Sequence, residues 1–139
     1  MPSEAVLREV EAWIAKAESD FRNIELVLPA EDAPLDTVCF HAQQAAEKYI
    51  KAALTFAGIP FGKTHDLSEL AALLADRFPL LSSVGDLSDL TDAAVTARYP
   101  DDLVVYDRDL AEELVERARA VRVAALHDLA SQGYIRGQR

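Results

Sequence analysis

The sequence has little cysteine and no long hydrophobic run. Its single cysteine, Cys39, cannot form an internal disulfide and has no cysteine partner for a zinc site, which indicates a reducing compartment. The unbroken apolar runs are far shorter than the ~18 residues that a membrane-spanning helix needs. The N-terminus also lacks the basic and apolar segments of a signal peptide. These absences predict a cytoplasmic protein that does not insert into a membrane.

Positive charge is also scarce. The chain has 14 Lys and Arg against 24 Asp and Glu, which gives a net charge of −10. An overall field of this sign repels phosphate backbones and anionic lipid surfaces, and it argues against non-specific nucleic-acid binding. The only segment in which Lys and His gather without an excess of acids is 48–65. Any contact with a nucleotide or RNA would need a local positive patch, and this segment is where such a patch is expected.

Apolar residues recur at helical spacing along most of the chain, whose length fits one domain. Residues 3–28 form the first predicted helix, with Ser3 as its N-cap. Residues 34–57 form the second, which ends where Gly58 supplies a left-handed residue. The second helix has alanines at positions 42, 45, 46, 52 and 53. We expect these alanines to face inward and to allow neighbouring helices to approach closely.

The remaining helical segments are shorter or less regular. Asp66 and Glu69 have the form of a capping box, which predicts a third helix from there to about Phe78. Residues 80–98 carry another helical pattern with a kink near Gly85, and residues 107–132 form the last helix. The sequence therefore predicts an all-α fold, an up-and-down bundle of four long helices plus a short one over residues 1–132, followed by a C-terminal tail at 133–139.

The second predicted helix carries the main candidate site. The positions of His41, Gln44, Lys48 and Lys51 place them on one face of that helix. A lysine supplies a point charge for a phosphate, while amides and imidazoles add directional donors. We therefore predict a shallow site for a phosphate or nucleotide, formed by His41, Gln44, Lys48, Lys63 and His65. The alternative is that Gln44 and Lys48 are only solvated, and that the two histidines bond neighbouring backbone to fix the loop.

Three segments, in order, resemble the HEPN domain family. They are FHAQQAAEKYIKAAL at 40–54, GKTHDLSEL at 62–70 and ARYP at 97–100. Trp13, Ala17, Asp20 and Phe21 also look like the opening of that domain. The resemblance implies a helical bundle that forms a homodimer. It also implies a partner, a minimal nucleotidyltransferase, with which such proteins act as a toxin–antitoxin pair or a complex.

Catalytic members of this family are metal-independent ribonucleases that use an arginine and a histidine with four to six residues between them. In that chemistry the histidine moves the proton of the attacking hydroxyl and the arginine holds the phosphate. The arginine that fits by position is Arg98, but Leu103, Val104 and Val105 occupy the places where the histidine is expected. This departure from the family pattern argues against ribonuclease activity.

Arg122 and His127 are the only pair with the required spacing. Because five residues of regular helix turn through roughly 500°, their side chains would point about 140° apart and could not share one phosphate. His127 is more simply interpreted as a side chain that interacts favourably with the partial negative charge at the C-terminus of the last helix. The three histidines, at 41, 65 and 127, have no recognisable ligand spacing, so neither a metal nor a cofactor is expected.

Arg98 and Tyr99 have two interpretations. They could line a dimer groove, where a cation and an aromatic ring would contact a base or phosphate. Alternatively, Tyr99 belongs to the core and Arg98 pairs with a following acid. Three hypotheses for function follow. The first is a non-catalytic dimeric HEPN protein that binds a nucleotidyltransferase, with nucleotide or RNA as further candidate ligands. The others are a metal-independent ribonuclease toxin and a helical dimerisation scaffold without a ligand.

Overall fold

The computed structural model describes residues 1–96 and 106–136, with the side chains of 93–96 excepted. Six α-helices account for most of this part of the chain, and no strand occurs in it. The predicted all-α class is confirmed. A 3-10 turn, Ala75–Arg77, lies between the third and fourth helices. The helices are α1 Glu4–Val27, α2 Leu35–Ala57, α3 Leu67–Ala72, α4 Pro79–Ser82, α5 Ser88–Thr96 and α6 Arg108–Ser131.

The ends of the first two helices follow from local chemistry. The Ser3 hydroxyl accepts a hydrogen bond from the backbone N–H of Val6 at 3.3 Å, as an N-cap does. At the end of α2, Gly58 has a φ of +71° and its N–H reaches the carbonyls of Leu54 and Thr55. A residue with a Cβ is disfavoured in this left-handed conformation, so glycine ends the helix here. Both predicted ends are confirmed.

The middle of the chain differs from the prediction. The Asp66 carboxylate does cap α3, accepting the N–H of Glu69 at 3.1 Å, but the helix ends at Ala72 rather than near Phe78. The long helix predicted over residues 80–98 is divided into α4 and α5. Gly85, with a φ of +93°, lies between them, in a conformation that no right-handed helix contains. The described residues therefore contain three long helices, and the predicted count of four is not confirmed.

Helix α2 is the centre of the bundle and packs against both α1 and α6. Its alanines are completely buried, as predicted, at positions 42, 45, 46, 52 and 53. Since an alanine side chain is a single methyl group, two neighbouring helices can approach the α2 backbone closely. Tyr49, Ile50 and Leu54 fill the larger spaces between the helices. The face of α2 that lies against α1 also carries polar groups.

Two long-range contacts hold the short helices and the chain end. The carboxylate of Asp128, 2% exposed, accepts the N–H groups of Leu80 at 3.3 Å and Leu81 at 2.8 Å, at the start of α4. Beyond α6, Tyr134 is buried and its hydroxyl donates to Glu11 of α1. The first residues of the predicted tail thus contact the bundle, whereas a domain boundary at residue 132 stays a prediction.

None of the helices among the described residues combines the length and the hydrophobicity that a membrane span requires.

Candidate functional site

Two buried carboxylates contact three side chains of the predicted site, namely His41, Lys48 and His65. The first is Asp20 of α1, which is 6% exposed. One of its oxygens lies 2.7 Å from Nδ1 of His41, and the other accepts a hydrogen bond from the ammonium group of Lys48 at 2.6 Å. Both partners belong to α2. Asp20, His41 and Lys48 are called the Asp20 cluster below, and they join the first two helices of the bundle.

The second carboxylate is Glu47 of α2, which is 4% exposed. Its Oε2 accepts a hydrogen bond from Lys51 at 3.1 Å, and its Oε1 lies 2.8 Å from Nδ1 of His65 and 2.9 Å from Nε2 of Gln43. The Nε2 of Gln44 in turn donates to Oε1 of Gln43 at 2.7 Å. Glu47, Lys51, His65 and Gln43 are called the Glu47 cluster, and His65 ties the loop after α2 to that helix.

The ionisation of Glu47 reflects two opposing effects. Burial would raise its pKa, because the charged form loses solvent. Hydrogen bonds from His65, Lys51 and Gln43, with the positive charge of Lys51, outweigh the burial and hold the pKa of Glu47 below its ordinary value. The group is therefore a carboxylate at neutral pH, and the cluster keeps its charge pair inside the protein.

Lys51 also contacts two aromatic rings. Its ammonium nitrogen lies 5.5 Å from the centre of the Trp13 ring and 5.6 Å from that of Phe61. The two rings meet edge to face, with 6.4 Å between their centres. A cation at these distances is attracted to the ring faces. Since Trp13 is on α1 and Phe61 is in the loop, Lys51 links three segments of the chain.

These contacts change the interpretation of the predicted phosphate site. The structure brings His41, Gln44 and Lys48 together along α2, with His65 beside them. However, Lys48 is not merely solvated: it is paired with Asp20, and its side chain is 19% exposed. The two histidines bond carboxylates and not neighbouring backbone. The positive charge expected on this face is therefore largely compensated within the chain.

Lys63 and His65 are the most accessible members of the predicted site. Lys63 is exposed in the loop, and no ion pair joins it to the described residues. The side chain of His65 is 50% exposed although its Nδ1 faces Glu47. Because both are exposed, these two side chains are the part of the site that a dissolved anion can reach.

Arg122 and His127 are held in different surroundings. The guanidinium of Arg122 donates to Oε1 of Glu18 at 2.8 Å and lies 5.0 Å from the centre of the Phe21 ring, both on α1. Glu18 also accepts the hydroxyl of buried Tyr49, whose pKa is raised by burial and then by this carboxylate. His127 is exposed and bonds none of the described residues. The pair thus does not form a shared phosphate site.

Arg98 and Tyr99, the other predicted site residues, lie outside the described residues. Sequence reasoning missed the two organising carboxylates. The sequence could have identified Asp20 as a buried acid, because it is the one acid on the apolar face that Ala17, Phe21 and Ile24 define. Gln43, Glu47 and Lys51 follow one another at intervals of four, so they share a face next to that of His41 and Lys48.

Comparison of the sequence with known protein families identifies the family of this chain. The family model for the HEPN domain matches residues 10–128, which include both clusters and most of the described helices. No curated protein and no solved structure gave a significant match to the sequence. Because the matched residues make up well over half of the chain, and because the helical fold agrees with the family, the chain belongs to the HEPN domain family.

Proposed function

We propose that this chain is a cytoplasmic, dimeric HEPN protein that binds a minimal nucleotidyltransferase and has no ribonuclease activity. The observation that carries the non-catalytic part is the pairing of Arg122 with Glu18 and the Phe21 ring. An arginine that neutralises a scissile phosphate must present its guanidinium to the substrate. Here the guanidinium faces α1, and the histidine five residues later bonds none of the described residues.

The Asp20 and Glu47 clusters support the same proposal. A general base in RNA cleavage needs a neighbouring cationic group that is free to bind the phosphate. His41 and His65 each lie against a buried carboxylate, and the lysine of each cluster is bound to the same carboxylate. The charged groups of the two clusters are therefore paired with one another, and these pairs hold α1 and the loop to α2. This arrangement suits a rigid binding module.

The partner is proposed from the family resemblance. HEPN proteins of this kind are similar to those encoded beside minimal nucleotidyltransferases, with which they form toxin–antitoxin modules. The strong net negative charge of −10 is compatible with a protein partner and unfavourable for a polyanion. We therefore assign the chain a role in which protein binding, not RNA cleavage, is the primary activity.

One experiment tests both parts. The chain is co-expressed with the protein encoded next to its gene, and the purified product is measured by size-exclusion chromatography with light scattering. A stable complex with a nucleotidyltransferase is expected, and the purified chain should leave a structured RNA intact in the presence of EDTA. RNA cleavage that disappears in Arg122→Ala, His127→Ala or Arg98→Ala would overturn the non-catalytic assignment and favour the ribonuclease toxin.

A second candidate function is phosphate recognition by Lys63 and His65, the accessible members of the predicted site. The proposal is supported by the exposure of both side chains and by the absence of acids between residues 48 and 65. Titration calorimetry with ATP and with a short RNA is expected to give binding that Lys63→Ala weakens and that Lys16→Ala, an exposed lysine of α1, does not. Equal effects of the two variants would favour a scaffold without a ligand at this site.

A further inference from the structure

The outer face of α6 carries a short apolar surface between charged ends. Glu116, Ala120, Val123 and His127 stand at intervals of four, three and four residues, so they lie on one side of the helix. All four are exposed, and Val123 is 67% exposed, more than any other large apolar side chain of the three long helices. We call these four residues the α6 face.

A groove runs beside the α6 face. Its volume is about 540 Å³, and its other wall is formed by Leu80 and Val84, at and just after α4. Leu80 is 44% exposed. Ala120 and Val123 line the same groove, together with the methyl group of Ala124. Small side chains such as Ala120 and Ala124 let a second helix come close to the α6 backbone.

The charges of the α6 face are ordered along the helix. Glu116 lies four residues before Ala120, and His127 lies four residues after Val123. If a second α6 packs antiparallel across an axis between Ala120 and Val123, each Ala120 meets a Val123. Each Glu116 then meets the His127 of the other copy, where the imidazole can donate to the carboxylate. Within its own chain Glu116 already pairs with Arg119 at the edge of the face.

This pattern fits a second copy of the chain better than an unrelated protein. A two-fold interface is isologous, so the same surface must be complementary to itself. The α6 face meets this condition in the order of its residues, since its acidic and imidazole ends are equidistant from an apolar centre. We propose that the α6 face and the adjoining groove are the homodimer interface, in which two α6 helices pack antiparallel about a two-fold axis. This inference rests on the dimer of the proposed function.

The first test replaces the apolar centre. Val123→Glu puts a charge into the middle of the interface, and the dissociation constant of the dimer is expected to rise on the order of 100-fold. Leu26→Glu on α1 is the matched control, because Leu26 is 63% exposed and lies outside the face. Sedimentation equilibrium gives the constant, and circular dichroism checks that both variants are folded.

The second test exchanges the charges. Glu116→Lys and His127→Glu alone should each raise the dissociation constant about tenfold, because each creates a like-charge or unpaired contact. The two changes together should return it to within about threefold of the original, because each lysine then faces a glutamate of the other copy. This recovery is a consequence of the antiparallel geometry and not of dimerisation in general.

The outcomes separate the interface from the dimer itself. If the chain is dimeric but Val123→Glu and Leu26→Glu behave alike, the α6 interface is overturned while the dimer of the proposed function stands. If the double variant dissociates as readily as the single variants, the antiparallel pairing is overturned. If the unaltered chain is a monomer at all concentrations up to the millimolar range, the interface and the proposed dimer fail together.

Discussion

The ammonium group of Lys48 lies 2.6 Å from the carboxylate of Asp20, although the two residues are 28 positions apart in sequence. Asp20 also holds His41, so one buried acid on α1 binds two basic side chains of α2. Because the negative charge of Asp20 is paired with the positive charge of Lys48, the cluster is better suited to hold two helices together than to attract a phosphate.

Removing the carboxylate of Asp20 should destabilise the fold. In Asp20→Ala, Lys48 and His41 lose their partner while they remain partly covered, and the free energy of unfolding is expected to fall by about 2–4 kcal/mol. Urea denaturation followed by circular dichroism measures the change. Lys16→Ala, an exposed change on the same helix, should alter it by less than about 0.5 kcal/mol. A similarly small effect of Asp20→Ala would show that the cluster is solvated.

Glu47 should make stability depend on pH in a defined direction. Its pKa is lowered in the folded chain from an ordinary value of 4.5, so its contribution is present above pH 4.5 and is lost as the pH falls through the lowered pKa. The difference in unfolding free energy between the unaltered chain and Glu47→Gln should therefore shrink as the pH falls below 4.5. Denaturant titrations from pH 7 to pH 3 test this.

Glu31→Gln is the matched control for that pH series, because Glu31 is exposed in the turn between α1 and α2. Its difference from the unaltered chain should stay close to zero at every pH. A difference for Glu47→Gln that grows as the pH falls below 4.5 would contradict the lowered pKa and the hydrogen bonds that explain it.

Asp128 should be needed for α4. Its carboxylate accepts two backbone N–H groups at the start of a helix of only four residues, and this helix has little stability by itself. Asp128→Ala is expected to cost about 1–3 kcal/mol, since buried donors lose their acceptor. Hydrogen exchange at Leu80 and Leu81 should accelerate. Asp76→Ala, at an exposed position of the preceding 3-10 turn, should leave that exchange unchanged.

Cys39 should be inert in the native protein. Burial, and then the negative charges of Asp36 and Asp107, raise the pKa of its thiol to about 12, so almost no reactive thiolate exists at pH 8. A disulfide reagent such as DTNB is expected to label the chain only when urea unfolds it. Rapid labelling of the folded chain at pH 8 would mean that Cys39 is accessible, in conflict with its complete burial.

Local chemistry made much of the helical framework predictable. Ser3 and Gly58 mark helix ends through bonds that span three or four residues, and the alanine spacing of α2 identifies its buried side. The short helices between residues 67 and 96 were predicted less well. Their order depends on distant groups such as Asp128, which is 47 residues from Leu81. No short-range pattern reports such a contact.

Helical periodicity and the family motifs were enough to predict the all-α class, the family and the residues of α2 that would share a face. The sequence could not determine whether that face meets water or another helix, because the partner acids lie on α1 and within α2 itself. Only the packing of α1 on α2 brings Asp20 to Lys48 and His41, and only the return of the loop brings His65 to Glu47. Tertiary structure decided the point because an ion pair depends on distance in space, whereas helix periodicity depends on distance along the chain.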